Sequence, residues 1–225
     1  MVLTSGAIYN GQDFDGNDYI NLGNDSSLEA GTGDLTVTAW VKSPGHTCTR
    51  RLISSKLTGM ASSAGYSIMV DFQGNNGYYG GRISNGTTNF NTSIWISDIF
   101  NDWLYVALVI NRTSDTIQFY GNGTAISSPT SISGNISNSA NPRLTVEDIS
   151  GTYLSGSIDE VRISNTNRTA EWIKTSYNNQ NAPDDFLTIS EQVSIPTMTE
   201  WGMIIFAVLA GLGAVYYLRR QGIES

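Results

Sequence analysis

Apolar residues alternate with polar ones along most of this chain, in short runs that recur roughly every ten residues, the spacing of a β-sandwich. Period-two or continuously apolar runs cover 19–22, 35–42, 51–56, 66–72, 78–83, 94–99, 103–111, 116–120, 143–146 and 153–163, which predicts a strand at each. In LTVTAWVK, Leu35, Val37, Ala39 and Val41 share one face, while Thr36, Thr38 and Lys42 take the other. Trp40 interrupts the polar face and is expected between the sheets or under a loop. WLYVALVIN is apolar on both faces, so this strand belongs in the middle of a sheet, covered on both sides. TIQFYGNGTAI reads as a hairpin, with Gly121, Asn122 and Gly123 able to supply positive φ at the turn.

The period changes in RTAEWIKTSYNNQ, residues 168–180. Ile173 and Tyr177 are four apart, Trp172 and Ser176 stand beside them, Thr169 is an N-cap and Glu171 occupies the first turn. This predicts a short helix on the sandwich. Beyond it NNQNAPDDFLTISEQVS loses all periodicity and gains proline and acid, as a linker does. The expected organisation is a β-sandwich over 1–177, a linker over 178–194 and a separate C-terminal element over 195–225.

Composition sharpens the reading. Charged residues make up only 14% of the 225 and glycine reaches 23, a turn-rich all-β profile. The net charge is −8, and Glu200, Arg219, Arg220 and Glu224 cancel in the C-terminal element, so the sandwich carries all of it. Such a surface repels phosphate backbones, which sets nucleic-acid binding aside. The one cysteine, Cys48, excludes an internal disulfide, and with His46 it sits in the turn-like SPGHTCTRR, where it reads as a small loop residue rather than a catalytic thiol. MVLTSGAIYNGQ has neither a basic nor an apolar signal region, so an export signal is expected upstream.

The C-terminal element is of another kind. Residues 201–218 carry no charge, and as a helix they extend roughly 27 Å, close to the hydrocarbon thickness of a bilayer. Trp201, Tyr216 and Tyr217 stand at its ends, as interfacial aromatics do, and Arg219 and Arg220 close it. A membrane-spanning helix with a cytoplasmic C-terminus is the expectation, the paired arginines being the membrane stop. The whole arrangement, IPTMTEWG followed by an apolar span and an Arg pair, resembles the IPTL-CTERM family of bacterial C-terminal sorting signals. Ile195, Pro196 and Thr197 match its motif, Met198 replaces the usual Leu, and Glu200, Trp201 and Gly202 continue it. The resemblance implies a bacterial envelope or surface protein, held in the inner membrane with its body periplasmic or on the cell surface, and handled by an exosortase-type processing enzyme.

Three stretches of the body, FDGNDYINLGNDSSLEAGTGDLTVTAWVK, DWLYVALVINRTSDTIQFYGNG and LSGSIDEVRISNTNRTAEWIKTSYNNQ, resemble in that order a laminin-G-like (concanavalin A-like) jelly-roll domain over about residues 5–182. The fold class this implies is all-β: two antiparallel sheets in a jelly-roll sandwich, the first and last strands close together, with one short helix. It also implies a structural calcium ion, whose oxygen ligands would match Asp15, Asp18 and Asp159, with Asp13 and Glu160 as neighbours.

The same fold hosts glycoside hydrolases of the laminarinase type, which place their carboxylates at alternate positions of one strand. No E-x-D-x-x-E or E-x-D-x-E occurs here. Glu147-Asp148, Asp159-Glu160 and Asp184-Asp185 are adjacent pairs whose side chains diverge on a strand. Catalysis is therefore not expected. A recognition or adhesion module for glycans is, with Tyr78 and Tyr79 of GNNGYYGGR and Phe90 and Trp95 of the loop SNGTTNFNTSIW as candidate stacking residues. A structural coat or filament subunit is the alternative from another class, and a glycoside hydrolase the weaker one.

Overall fold

The computed structural model describes residues 2–44, 50–56, 62–73, 76–97, 102–146, 153–183 and 198–222. The strands form two antiparallel sheets of a jelly-roll-like sandwich. The eight-stranded sheet runs in the order β1 (Val2–Ser5), β2 (Asn10–Asp15), β14 (Ser155–Ser164), β4 (Leu35–Lys42), β9 (Leu104–Asn111), β10 (Thr116–Gly121) and β11 (Thr124–Ala125), with β12 (Thr130–Ser131) also on β10. The six-stranded sheet runs β3 (Ile20–Asn21), β13 (Arg143–Val146), β5 (Arg50–Ser54), β6 (Gly65–Gln73), β7 (Asn76–Ser84) and β8 (Asn89–Ser97). The pairing of β2 with β14 brings the first and last parts of the domain together.

Most strands fall where alternation places them. Three do not: β1, β2 and β12 have too few apolar residues for a period to show, and they form because a neighbour offers a free edge. The segment expected to be a loop before Ile94 is strand as well. β8 begins at Asn89, and the turn is confined to 85–88, where the Asn85 side-chain oxygen accepts the N–H groups of Thr87 (2.9 Å) and Thr88 (2.8 Å).

The core lies between the sheets. Leu35, Val37, Ala39 and Val41 of β4 and Leu104, Val106, Leu108 and Ile110 of β9 meet Ile53, Tyr66, Ile68, Tyr79 and Ile83 of the other sheet. The opposite face of β9, Tyr105, Ala107 and Val109, is also buried, as its two apolar faces require. What covers it is α1 (Ala170–Asn181). Thr169 caps the helix, its hydroxyl accepting the Trp172 N–H at 3.3 Å, and Ile173 inserts into this second apolar layer. Trp40 belongs to that layer: its ring meets Tyr105 edge-on at 5.4 Å and Tyr177 at 5.7 Å, and Nε1 donates to Gln180 at 2.7 Å. The interrupting tryptophan thus lies beneath the helix. The β10–β11 hairpin turns through Asn122 (φ 46) and Gly123 (φ 76), a primed turn that packs on Tyr177.

The chain divides into units Met1–Phe186 and Leu187–Ser225. α1 continues through Asn181, so the first residues of the expected linker are helical. In the second unit α2 (Met198–Gln221) is 24 residues long, with Arg219 and Arg220 in its last turn. Its segment Gly202–Gln221 has a mean hydropathy of 1.7 and is long and apolar enough to cross a membrane. Ile204, Ile205, Phe206, Leu209 and Leu212 are all exposed along it.

Candidate functional site

The two outer faces of the sandwich differ. That of the eight-stranded sheet is covered by α1 over β4, β9 and β10. That of the six-stranded sheet carries a continuous polar row, because antiparallel partners share a face: Asn21, Arg143, Ser54, Ser67, Arg82 and Asn91 are successive Cα partners across β3, β13, β5, β6, β7 and β8. Two arginines flank two serines, and an asparagine closes each end. Ser54 and Ser67 are buried, Arg82 and Arg143 are partly buried, and Asn21 and Asn91 are exposed, so the row reaches solvent towards its two ends.

Its cations are held in place. Arg82 Nε donates to Asn91 Oδ1 at 2.6 Å, which sets the guanidinium plane. Arg51, the register partner of Met69 beside Ser67, is 5% exposed, and its Nη1 donates to the Lys56 carbonyl at 3.3 Å. Lys56 itself is 1% exposed. Its stem crosses Gly65, where a Cβ would stand 3.1 Å from Lys56 Cγ, and its ammonium donates to Asn89 Oδ1 at 2.8 Å. Burial first, then the positive charges of Arg82 and Arg51, pull the ammonium pKa down from 10.5 to about 8. At the β3 end the Arg143 guanidinium lies 4.7 Å from the centre of the Tyr19 ring, which stacks on Tyr153 at 5.9 Å. Tyr19 is 46% exposed.

The residues expected to stack on sugars are distributed differently. Tyr79 is 1% exposed and lies in the central core, its hydroxyl pKa raised by burial. Phe90 is half-buried against the same core, on a strand rather than a loop. Both are corrected to packing residues, since strand parity turns them inward. Tyr78 and Trp95 are register partners on β7 and β8, and their side chains lie outside the described residues. So do Cys48 and His46, and Ile195, Pro196 and Thr197 of the sorting motif; Met198, Glu200 and Trp201 enter α2 with side chains likewise outside, and Gly202 is helical and exposed.

The calcium ligands implied by resemblance do not converge. Asp15 is the partner of Ser155, whereas Asp159 lies four residues further along β14, ~13 Å at strand spacing. Both Asp159 carboxylate oxygens accept backbone N–H groups, Oδ2 from Ile8 at 3.2 Å and Oδ1 from Glu160 at 2.8 Å. Asp15 Oδ1 accepts from its own turn at Asn17 (3.0 Å), and the Asp18 carbonyl accepts the Thr145 hydroxyl. Among the described residues no group of three or more His, Cys, Asp and Glu is placed to hold a metal ion. Asp15 closes a turn and Asp159 a strand edge, and with their carboxylates engaged in this way and ~13 Å apart at strand spacing the three aspartates do not form one calcium site.

The polar row escapes a reading of the sequence because positions 21, 54, 67, 82, 91 and 143 share no motif. The signal present was Arg82 and Ser84 on either side of the core residue Ile83 in GGRIS; in RRLIS a register shift between Arg51 and Ile53 hides the alternation.

Two antiparallel sheets packed face to face, with one short helix on the outside, define an all-β jelly-roll-like sandwich. The chain belongs to the concanavalin A-like lectin/glucanases superfamily, whose model matches residues 14–174, and the IPTL-CTERM motif matches residues 193–221. A search of the curated proteins finds no match. Among solved structures the fold is similar to the carbohydrate-binding module CBM40 of the Ruminococcus gnavus IT-sialidase, solved with α2,3 sialyllactose (TM-score 0.58, 15% identity, covering 72% of this chain and 94% of that one). It is similar too to the binding domain of Paraclostridial Mosquitocidal Protein 1 (TM-score 0.60, 16% identity, 79% of this chain), of which this chain covers only 45%. A heptameric SAP-like pentraxin from Limulus polyphemus also matches (TM-score 0.51, 16% identity, 71% of this chain and 80% of that one). These identities establish the fold, one shared by carbohydrate-binding modules and toxin binding domains and consistent with glycan binding.

Proposed function

We propose that this chain is a non-catalytic recognition module, held at a bacterial membrane by α2, that binds glycans across the outer face of the six-stranded sheet. The observation that carries this is the polar row from Asn21 to Asn91, with exposed amides at its ends and partly buried guanidiniums beside them. Sugar hydroxyls both donate and accept, and such a row offers both functions at fixed positions. Carbohydrate-binding modules and toxin binding domains among the structural neighbours support the reading.

Among the described residues, the carboxylates give catalysis no support. Asp159 has both oxygens engaged by backbone N–H groups, and Glu160 pairs with Arg162 at 2.5 Å. Asp25 and Glu171 are pushed below the ordinary carboxyl range, Asp25 by the Ser27 N–H and hydroxyl and Glu171 by its own N–H and the Thr169 hydroxyl. That is the direction opposite to what a general acid needs.

The IPTL-CTERM match and α2 support export and membrane anchoring, with Arg219 and Arg220 cytoplasmic, the body outside, and an exosortase-type enzyme acting on the tail. The exposed Ile, Leu and Phe along α2 are suited to a lipid surrounding.

The test is retention of the full chain, in detergent micelles, on a broad glycan array. Binding to a defined set of glycans that drops at least tenfold in Asn91→Ala is the expected result. Absence of binding to every glycan overturns the proposal.

A further inference from the structure

Where α1 begins, a cavity of about 180 Å³ lies between its first residues and the outer face of the eight-stranded sheet, room for about six water molecules at ~30 Å³ each. Val109 and Asn111 of β9 and Thr116, Gln118 and Tyr120 of β10, which share a face by register, form its floor, and residues 167–170 form its wall. Both are held in place. Thr36, buried in β4, donates its hydroxyl to the Thr166 carbonyl at 2.7 Å and accepts the Arg168 N–H at 2.9 Å, which ties the wall to the sheet. On the floor the Tyr120 hydroxyl donates to Gln118 Oε1 at 3.2 Å, and Gln118 Nε2 donates to the Ser127 carbonyl at 3.1 Å.

The acceptors around this cavity are in use. Asn111 Oδ1 takes the Ser114 N–H at 3.0 Å, Gln118 Oε1 the Tyr120 hydroxyl, and Thr169 Oγ1 the Trp172 N–H. Donors are left over. The Arg168 guanidinium lies over the Trp172 ring, 4.6 Å from its centre, a stack that occupies its flat face and spares its N–H edge. Among the described residues no oxygen accepts from that edge, and Nε is covered without a partner. The amide N–H groups of Asn111 and Asn167 have no acceptor there either. One anion stands near: Glu171, whose charge acts on the Tyr120 hydroxyl and whose carboxylate is engaged by its own N–H and the Thr169 hydroxyl. Beyond Asn111, Asp34 and Asp115 are both engaged by Arg112.

We propose that this cavity binds the carboxylate of a small organic acid, received by the N–H edge of Arg168 with the Asn111 and Asn167 amides beside it. A guanidinium already held against an indole loses little freedom on meeting a carboxylate, and its fork matches the two oxygens. Glu171 selects a single negative charge, because its repulsion of a dianion such as phosphate is twice as large. The cavity has room for the acid group and the atoms next to it. This site lies on the sheet opposite the polar row and does not depend on the glycan reading.

Calorimetric titration of the full chain in detergent micelles, at neutral pH, with D-glucuronate, L-lactate, D-glucose and inorganic phosphate tests it. Saturable binding of either acid, at least tenfold tighter than glucose and phosphate, supports the proposal when Arg168→Gln weakens it at least tenfold and Glu171→Gln tightens it severalfold. The two acids distinguish a sugar acid from a simple hydroxy acid. Arg168→Lys, which keeps the charge without the fork, should also weaken binding, and with Glu171→Gln it carries the test if Arg168→Gln does not fold by circular dichroism. Asn91→Ala should leave acid binding unchanged while reducing binding to the glycan array, so the two readings fail separately. The proposal is overturned if neither acid binds, if glucose or phosphate binds as tightly, if the folded Arg168 variants bind like wild type, or if Glu171→Gln weakens binding.

Discussion

Replacing Lys56 by Met removes one charge from beneath the open face while keeping a straight apolar stem over Gly65. In the folded chain the ammonium titrates at about 8, against 10.5 when solvated, because burial and then Arg82 and Arg51 disfavour its charged form. Below pH ~8 both folded and unfolded chains carry the proton and the penalty is complete and constant. Between about pH 8 and 10.5 the unfolded chain binds more protons, so stability rises with pH by up to ~1.4 kcal/mol per unit. Above pH ~10 Tyr66 and Tyr79, whose pKa values burial raises, keep protons that the unfolded chain releases, and stability turns down again. The window is therefore pH 8 to 10. Its full value is ~2.7 kcal/mol, which screening by water at the sheet margin reduces to about 1–1.5 kcal/mol. For a domain of this size that is a rise in melting temperature of about 2–6 °C. Thermal unfolding of the full chain in a mild detergent, from pH 7 to 10, measures it. Wild type should rise, whereas Lys56→Met should be flat over this window and at least as stable as wild type at pH 7, the lost Asn89 hydrogen bond offsetting part of the gain. A wild-type profile without the rise, or a variant that retains it, refutes the reasoning.

Gly81 admits Leu108 from the opposite sheet, since a Cβ there would stand 2.3 Å from Leu108 Cδ1; Gly81→Ala should cost about 1–3 kcal/mol in thermal unfolding, and a neutral result contradicts the packing. Adding millimolar calcium to the chelator-treated chain should leave its melting temperature unchanged, because Asp15, Asp18 and Asp159 do not form one site; a rise of several degrees would show ligands other than these.

The residues that decide the class were readable in order along the chain. Alternation in LTVTAWVK and apolarity on both faces of WLYVALVIN follow from the two-residue period of a strand, and a central strand cannot be polar on a covered face. Thr169 as cap and Ile173 as anchor follow from local geometry in the same way, and the terminal span from its length and lack of charge. These are local consequences of backbone geometry, so sequence by itself determined them. Pairing partners are not local. β1 and β2 carry almost no pattern; β2 exists because the edge of β14 accepts it, and β1 because β2 then offers an edge in turn. Tyr79 and Phe90 looked like platforms and are packing residues, because strand register alone chose which way each side chain turned. The outer face of the six-stranded sheet shows the difference most plainly. Arg51 and Lys56 are neighbours in sequence, but Arg82 and Arg143 lie tens of residues away, and only the cross-strand register of three strand pairings placed them on the same sheet face.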